Sequence, residues 1–274
     1  MGKPIILTKE QEDKIIYNYT ILRYGQKKSG AFIPVSDKIV KKVLIKNNIP
    51  IKSIQETNAN KFFINHNYFQ KQTNNMAYWI GILASDGSVN KNENQIYIEL
   101  KREDRELLEK LNNDIQNQRP VKDYETSQGY ENSKLYFYSK QIKDDLKQYH
   151  IIPNKTYNLN YSFPERLNKE FLFDYIRGLF DGDGSIKMTG STITWQVDVG
   201  KKEIAENIVK LFREKQIELS ISELKKKNVT IYRVYGYTAE KCKKIYELLY
   251  KTKSNLFMKR KKDTKQKAAN SATL

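Results

Sequence analysis

The sequence predicts an α+β fold built from two pseudo-symmetric halves of order αββαββα, preceded by a small helical region. One observation is a repeated segment: an apolar run with an internal glycine ends in Asp-Gly at Trp79-Ile-Gly-Ile-Leu-Ala-Ser-Asp-Gly87 and again at Ile176-Arg-Gly-Leu-Phe-Asp-Gly-Asp-Gly184. The other is that a similar series of alternating and amphipathic stretches follows each copy. The chain of 274 residues is long enough for two such halves and an appendage.

The glycines inside the repeated segments predict that the two helices pack against each other. A glycine within a helix costs about 1 kcal/mol relative to alanine, so its presence there indicates a close neighbour. Small residues recur at a spacing of four, which lets two helices approach closely; they are Ala77, Gly81 and Ser85 in the first copy and Gly178 and Gly182 in the second. Such a crossing would bring the helix ends, and with them Asp86 and Asp183, together.

Period-two and helical patterns define the remaining elements of each half. In the first half they predict a strand over 95–101, a helix over 105–117, strands over 121–125 and 135–139, and a helix over 141–149. In the second half they predict a strand over 191–199, a helix over 203–215, strands over 221–224 and 229–235, and a helix over 239–250. Helices covering one face of each sheet would leave the other face open.

An open β-sheet face of this kind fits the major groove of duplex DNA, where Lys, Arg, Gln and Asn side chains read base edges. The side chains expected to face outward are Tyr97, Lys101, Thr194, Gln196, Lys225, Tyr232 and Arg233. The alternative for each of them is an ordinary solvated position on a sheet.

The first seventy residues predict a separate helical module. Thr8 and Gln11 form a capping box that begins one helix. A second helix is expected from Ser36 to Asn47, with Ser36 as its cap, a core stripe of Ile39, Val40, Val43 and Leu44, and an exposed basic set of Lys38, Lys41, Lys42 and Lys46. This pattern is typical of a helix-turn-helix with a basic recognition helix; the alternative is a small helical cap on the rest of the protein.

These elements predict five segments along the chain. They are a helix-turn-helix-like module at 1–57, a linker at 58–75, the first half at 76–160, the second half at 161–262 and a basic flexible tail at 263–274.

Composition points to a nucleic-acid partner. Lys and Arg number 49 against 32 Asp and Glu, a net charge of +17, and the chain holds 19 Tyr and 11 Phe; a basic chain rich in aromatic residues suits a polyanion. The single cysteine, Cys242, excludes an internal disulfide and a cysteine-based zinc site, and two histidines are too few for a histidine-rich nuclease site. No stretch predicts a membrane span or a secretory signal, so we expect a cytoplasmic or organellar protein.

The converging aspartates predict a divalent cation. Two carboxylates about 4 Å apart repel by about 4 kcal/mol even at an effective dielectric constant of 20, so at neutral pH they need a positive partner. Oxygen ligands without a histidine cluster favour a hard ion, Mg²⁺ before Zn²⁺, with Mn²⁺ or Ca²⁺ as substitutes. The chemistry this indicates is metal-assisted hydrolysis of a phosphodiester. A single helix that ends in Asp-Gly would be explained by ordinary helix termination. Two such copies in register favour a metal site instead.

The two segments resemble the paired motif of LAGLIDADG homing endonucleases in their single-chain, two-motif form. The second copy matches closely, whereas the first has Ala84 where that family usually has an acidic residue. The resemblance implies that Asp86 and Asp183, each before the final glycine of its motif, are the metal-binding carboxylates. It also implies that Asp181 is the non-catalytic acid of the second motif.

The same resemblance implies a lysine near each active-site end. Lys155, between the halves, matches the first of these positions. Lys261 is the best match in the second half, with Lys259 as the alternative. Lys101, at the end of its strand, is a weaker third candidate. A cation there would stabilise developing negative charge or orient the attacking water.

The expectation is therefore a monomeric, metal-dependent enzyme that cuts both strands of a long asymmetric DNA target. The resemblance implies a homing role, and the chain begins at Met1 without the terminal chemistry of a self-splicing intein, which favours a free-standing enzyme. Two alternatives remain open: a DNA-binding regulator built on a retired nuclease, against which the retention of Asp86 and Asp183 speaks, and an RNA-splicing maturase.

Overall fold

A computed structural model describes residues 7–22, 24–51, 62–190, 192–226 and 229–263. The chain divides into two compact units, residues 1–63 and 64–274. Most of the predicted basic tail, from residue 264 onward, lies outside the described residues. Across the described ranges, no helix is long and apolar enough to cross a membrane.

The first unit contains helices α1 (Lys9–Thr20), α2 (Gln26–Ser29) and α3 (Asp37–Lys46). Thr8 and Gln11 form the predicted capping box at the start of α1. Ser36 precedes α3 as predicted, but its side chain accepts no capping hydrogen bond. The helices enclose a small apolar core of Ile15, Tyr19, Val40, Val43 and Leu44.

The second unit holds the two predicted αββαββα halves. The first half consists of α4 (Asn74–Ser85), β1 (Gly87–Val89), β2 (Gln95–Lys101), α5 (Arg105–Asp114), β3 (Lys122–Glu125), β4 (Glu131–Tyr138) and α6 (Lys140–Lys147). The second half consists of α7 (Leu172–Asp183), β5 (Gly184–Thr189), β6 (Thr192–Val199), α8 (Lys202–Arg213), β7 (Ser220–Lys226), β8 (Val229–Tyr237) and α9 (Ala239–Tyr250). The predicted α+β fold is therefore confirmed.

The two sheets share both strand order and register. Each is a four-stranded antiparallel sheet, of order β1-β2-β4-β3 in the first half and β5-β6-β8-β7 in the second. Gly87 pairs with Ile98 in one sheet, and Gly184 pairs with Val197 in the other. Because each of these glycines directly follows an aspartate at the end of a helix, the halves repeat the same passage from helix to sheet.

Helices α4 and α7 pack backbone against backbone at the centre of the unit. A Cβ atom at Gly81 would lie 2.2 Å from the Tyr175 carbonyl oxygen, and one at Gly178 would lie 2.1 Å from the Tyr78 carbonyl oxygen. No real carbon atom fits at those distances, so only glycine permits the contact at either position. The predicted close crossing of the two helices is confirmed.

Three helices end earlier than the sequence predicts. The ends predicted at 117, 149 and 215 lie at Asp114, Lys147 and Arg213 in the structure. Shortly after each end comes a residue with positive φ: Gln116 at 51°, His150 at 61° and Gln216 at 59°. Glycine is the usual residue in that left-handed conformation, so these non-glycine ends carry little sequence signal.

Part of the segment predicted as a linker packs onto the first half. Of residues 58–75, those from 62 onward are described. Ile64 and Phe69 are buried in the core, and the Asn65 amide donates to the Ile115 carbonyl at 2.9 Å. This stretch is therefore held by the second unit just ahead of α4.

Replacing Gly178 with alanine should destabilise the second unit strongly. Overpacking a core typically costs about 1–3 kcal/mol, and we expect the upper end because the new methyl group would meet backbone atoms, which cannot rotate away. Gly200→Ala is the matched control, since its Cβ would have its nearest neighbour at 3.9 Å. Chemical denaturation measures both; equal unfolding free energies for the two variants would contradict this account of the helix contact.

Candidate active site

Asp86 lies at the end of α4, directly before β1. Its backbone N–H donates to the Ile82 carbonyl, and its carboxylate accepts a hydrogen bond from the Ser85 hydroxyl at 3.1 Å. A Cβ atom at Gly182 in α7 would lie 2.3 Å from Asp86 Oδ2. The Asp86 carboxylate is thus packed against the residue that precedes Asp183, and the two aspartates converge.

The two carboxylates have raised pKa values. Asp183 is reached by solvent at the mouth of the cleft, but the surrounding protein partly dehydrates it. This dehydration, with repulsion from Asp86 as the second cause, raises the pKa of Asp183 to about 6. Dehydration also raises the pKa of Asp86, against the opposing effects of the Ser85 hydroxyl and the nearby lysines.

A lysine lies beside each aspartate. Lys155 Nζ donates to the carbonyl oxygen of Gly87, and Lys261 Nζ donates to that of Gly184. Burial lowers the pKa of both lysines, while Asp86 and Asp183 act in the opposite direction. The site is therefore a cluster of two acids and two bases with the same layout in each half.

The other two lysine candidates lie elsewhere. Lys259 lines a separate cavity with Glu106 and Asp263. Lys101 is exposed, and its ammonium lies 3.8 Å from a carboxylate oxygen of Glu103. Of the two candidates in the second half, Lys261 is thus the one that reaches the aspartates.

A cavity of about 300 Å³ opens beside Asp183. Its lining includes Ala84, Lys155, Tyr161, Asp183, Asp198 and Ile231. Because Asp198 and Ile231 belong to β6 and β8, this cavity joins Asp183 to the second sheet.

The aspartates fit a hard divalent cation. Among the described residues, no group of three or more His, Cys, Asp or Glu side chains is arranged to hold a metal. Two carboxylates suffice for Mg²⁺, which usually keeps several waters and completes its shell with phosphate oxygens. The raised pKa values of Asp86 and Asp183 agree with this fit, because a bound cation would offset both their dehydration and their repulsion.

We call the face of each sheet that points away from the helices its open face. In β2, Ile96, Ile98 and Leu100 are buried against the helices, so Tyr97 and Lys101 lie on the open face as predicted. Lys134 extends its ammonium over the Tyr97 ring, 4.1 Å from the centroid. The open face of the first sheet is therefore both basic and aromatic.

The open face of the second sheet holds three of the five side chains of that sheet that were expected to face outward. In β6, Thr194 and Gln196 alternate with buried apolar residues, and Arg233 lies opposite Asp198 on the same face. Gln196 is 8% exposed, between its strand partners Ser185 and Tyr235. Its amide is consequently less accessible than the sequence suggested.

The predicted outward orientation of Lys225 and Tyr232 is wrong, because both side chains lie on the side of the sheet that the helices cover. Tyr232 is packed against the core, and its strand partner is Glu223. Lys225 follows Glu223 by two residues, so it shares that side. Neighbouring residues of one strand face opposite ways, and for this reason Tyr232 and Arg233 could not both point outward.

Each open face carries an ion pair at the same register position, which the sequence analysis missed. Glu99 accepts from Lys134 at 2.5 Å in the first sheet. Asp198 accepts two hydrogen bonds from Arg233, at 2.7 and 2.8 Å, in the second. Strand alternation places Glu99 and Asp198 on the open faces, but their partners depend on cross-strand register, which the sequence does not define.

The predicted basic helix of the first unit is α3. Lys38, Lys41 and Lys42 are exposed, on the side opposite the buried Val40, Val43 and Leu44. Lys46, the fourth member of that basic set, is paired with Glu12 at 2.9 Å.

Two family models match this chain. Residues 73–119 match the LAGLIDADG-like domain, and residues 172–264 match the WhiA LAGLIDADG-like domain. A protein of Methanocaldococcus jannaschii described as uncharacterized is 26% identical over 151 residues, which is 54% of this chain and 54% of that protein. The chain thus spans about half the length of this relative.

Solved structures with a similar arrangement include a WhiA domain and a meganuclease. The N-terminal LAGLIDADG domain of DUF199/WhiA is 15% identical, with 68% of this chain and 89% of that chain covered and a TM-score of 0.43. The meganuclease I-SmaMI bound to uncleaveable DNA is 13% identical, with 72% and 89% covered and a TM-score of 0.49.

The fold and the paired motif define a two-repeat protein of a family whose members are DNA-binding proteins or endonucleases. The chain belongs to the LAGLIDADG family, with one motif helix, α4 or α7, in each half.

The carboxylate of Asp183 should titrate near pH 6 in the metal-free protein. Asp86→Asn should lower the pKa of Asp183, because it removes the repulsion, but leave it above that of a free aspartate because the dehydration remains. Titration of ¹³C-labelled aspartate by NMR measures both values. A pKa of Asp183 that does not change in the Asp86→Asn variant would show that the two carboxylates do not interact.

Proposed function

We propose that the protein is a divalent-metal-dependent endonuclease that acts as a monomer and cuts both strands of a long, asymmetric double-stranded DNA site. The observation that carries the proposal is the convergence of Asp86 and Asp183 at the ends of α4 and α7, each with a lysine beside it. Family membership supports the same reaction class. Outside the repeated motif the two halves differ in sequence, which favours a target without two-fold symmetry.

In the proposed reaction, Asp86 and Asp183 would hold Mg²⁺ through their carboxylate oxygens. When bound, the metal lowers the pKa of a water nucleophile and neutralises charge on the attacking and leaving oxygens. Ser85 orients the Asp86 carboxylate through its hydroxyl. Both carboxylates must be ionised to bind the cation, so activity should fall as the pH drops below the pKa of Asp183.

Lys155 and Lys261 supply the remaining positive charge. Their partial burial places each ammonium in a medium where its field is stronger than in water. An ammonium beside the scissile phosphate would stabilise the negative charge that develops there or orient the attacking water. Their contacts with Gly87 and Gly184 fix them close to the aspartates.

DNA binding is assigned to the two open faces, with Tyr97, Lys101, Thr194, Gln196 and Arg233 as proposed contacts. The lysines of α3 are proposed to add phosphate contacts from the first unit. The resemblance to homing endonucleases supports a homing role, in which the target is the allele that lacks this gene.

Cleavage of that allele by purified protein tests the proposal. Wild-type protein should linearise a plasmid that carries the uninterrupted site with Mg²⁺ but not with EDTA. Asp183→Asn should reduce the rate by more than about 100-fold. Replacing a residue that only orients a metal ligand already costs about 10- to 100-fold, and Asp183 is proposed to be a ligand itself. DNA binding should persist, because the open faces are unchanged.

Asp144→Asn is the matched control for this test, since Asp144 is an exposed carboxylate of α6 paired with Lys140. It should cut at the wild-type rate. Full activity in Asp183→Asn would remove this residue from the mechanism.

A DNA-binding regulator is the second candidate function. The WhiA type of model matches the second half, and Ala84 replaces the usual acid in the first motif. This alternative predicts tight binding of a discrete DNA site with no metal-dependent cut. The plasmid assay distinguishes it directly from the nuclease.

Asp198→Asn should increase the salt dependence of DNA binding. The substitution releases Arg233 from its ion pair, and one further phosphate contact steepens the slope of log K against log salt by about 0.9. Glu240→Gln makes the same charge change on α9, where it releases Lys244, and should leave the slope unchanged. Fluorescence anisotropy between 50 and 200 mM salt measures the slopes; equal slopes for the two variants would place Arg233 outside the DNA interface.

A further inference from the structure

Asp181 is a carboxylate with no exposure to solvent, two residues before Asp183. It accepts hydrogen bonds from the Tyr78 hydroxyl at 3.0 Å, from the Met258 backbone N–H at 2.9 Å and from the Tyr250 hydroxyl. A buried carboxylate is stable only when donors surround it. These three donors come from α4, from α9 and from the segment that follows α9, so Asp181 ties three parts of the unit together.

Met258 starts the helical turn that carries Lys261. The backbone N–H groups of Lys261 and Lys262 donate to the Met258 carbonyl at 3.1 and 3.0 Å. On the same turn, Arg260 pairs with Asp104 of the first half at 2.7 Å. The turn is therefore held by two contacts. Asp181 accepts a hydrogen bond from the Met258 amide at its start, and Arg260 pairs with Asp104 on its exposed side.

The first half has no equivalent carboxylate. Ala84 occupies the position that matches Asp181, and the Tyr161 hydroxyl lies 3.5 Å from the Ala84 carbonyl oxygen. Lys155 is instead carried by a short turn, Lys155–Tyr157, that follows Asn154 in a left-handed conformation with φ 53°. The two lysines of the site are consequently held in place by different means.

We propose that Asp181 is a positioning residue that seats Lys261 against Gly184 by holding the Met258 amide, and that Lys155 is seated without such a carboxylate. The consequence for cleavage rests on the proposed function, whereas the consequence for structure does not. Under the proposed function, each half of the protein, with its own aspartate and lysine, acts on one strand of the duplex. Loss of Asp181 should therefore slow the cut of one strand and spare the other.

The first test measures only the structural consequence, in the full-length protein, and needs no cleavage activity. Asp181→Asn keeps the shape of the side chain but removes its charge, so at most a neutral carbonyl oxygen remains to accept from the Met258 amide, and such a hydrogen bond is about half as strong as one to a carboxylate. Amide hydrogen exchange at residues 256–263 should become at least tenfold faster, with no change at residues 149–158.

Two further variants keep the test decisive if Asp181→Asn folds poorly. Tyr250→Phe removes one donor and leaves the carboxylate, so it should give a smaller change in exchange in the same direction. Asp145→Asn alters a carboxylate of α6 that is also buried, 5% exposed, and that accepts from Gln141; it should leave residues 256–263 unchanged.

The second test follows the two strands separately. With a supercoiled plasmid substrate and Mg²⁺, Asp181→Asn should accumulate nicked circles, and end-labelled strands should show one cut slowed at least tenfold relative to the other. Unchanged exchange at residues 256–263, or equal slowing of both strands, would overturn the positioning role. If the wild-type protein cuts neither strand, the proposed function fails, and the exchange at residues 256–263 still decides whether Asp181 holds the turn that carries Lys261.

Discussion

The contact between the backbones of Gly81 and Gly178 is the constraint on which the rest of the structure depends. It allows α4 and α7 to lie closer than any side chain would permit, and both helices end at the same place as a result. The strands that follow begin directly after those ends, so the positions of both sheets are set by the same crossing. A larger residue at either glycine would separate the halves and the aspartates together.

The crossing also creates an electrostatic problem, which the surrounding residues only partly relieve. Asp86 and Asp183 are brought together in a partly dehydrated cleft, where their charges repel more strongly than in water. Ser85, Lys155 and Lys261 offset some of this, yet the pKa of each aspartate remains raised. A group held in an unfavourable state by its fold is typical of functional sites, and here a divalent cation would relieve the conflict.

The sequence predicts much of this fold because two periodic signals agree. The repeated motif locates α4 and α7, and period-two alternation locates strands such as Gln95–Lys101, whose predicted bounds match the structure. Helix ends are less predictable, since Gln116, His150 and Gln216 take a conformation that usually requires glycine. The error at Lys225 has a similar cause: its side of the sheet depends on strand register, which local sequence does not define.

The candidate site likewise has residues that the sequence predicts and contacts that it does not. Asp86 and Asp183 are evident from the motif, because they occupy one position in a repeat. The partners of Asp198 and Asp181 are not evident, because Arg233 and Met258 reach them from distant parts of the chain. Long-range hydrogen bonds of this kind come from the tertiary fold, and the one from Met258 to Asp181 has no counterpart in the first half, where Ala84 stands at the matching position.

In the proposed mechanism, Asp86 and Asp183 share divalent cations because the helix crossing brings them together. Mn²⁺ binding followed by electron paramagnetic resonance, in the wild-type protein and in Asp86→Asn and Asp183→Asn, tests this most directly. Shared ligation predicts that either substitution weakens binding of all the Mn²⁺ that the wild type takes up at the site. Retention of half the bound Mn²⁺ at wild-type affinity in each variant would contradict the account, because each aspartate would then bind its own ion.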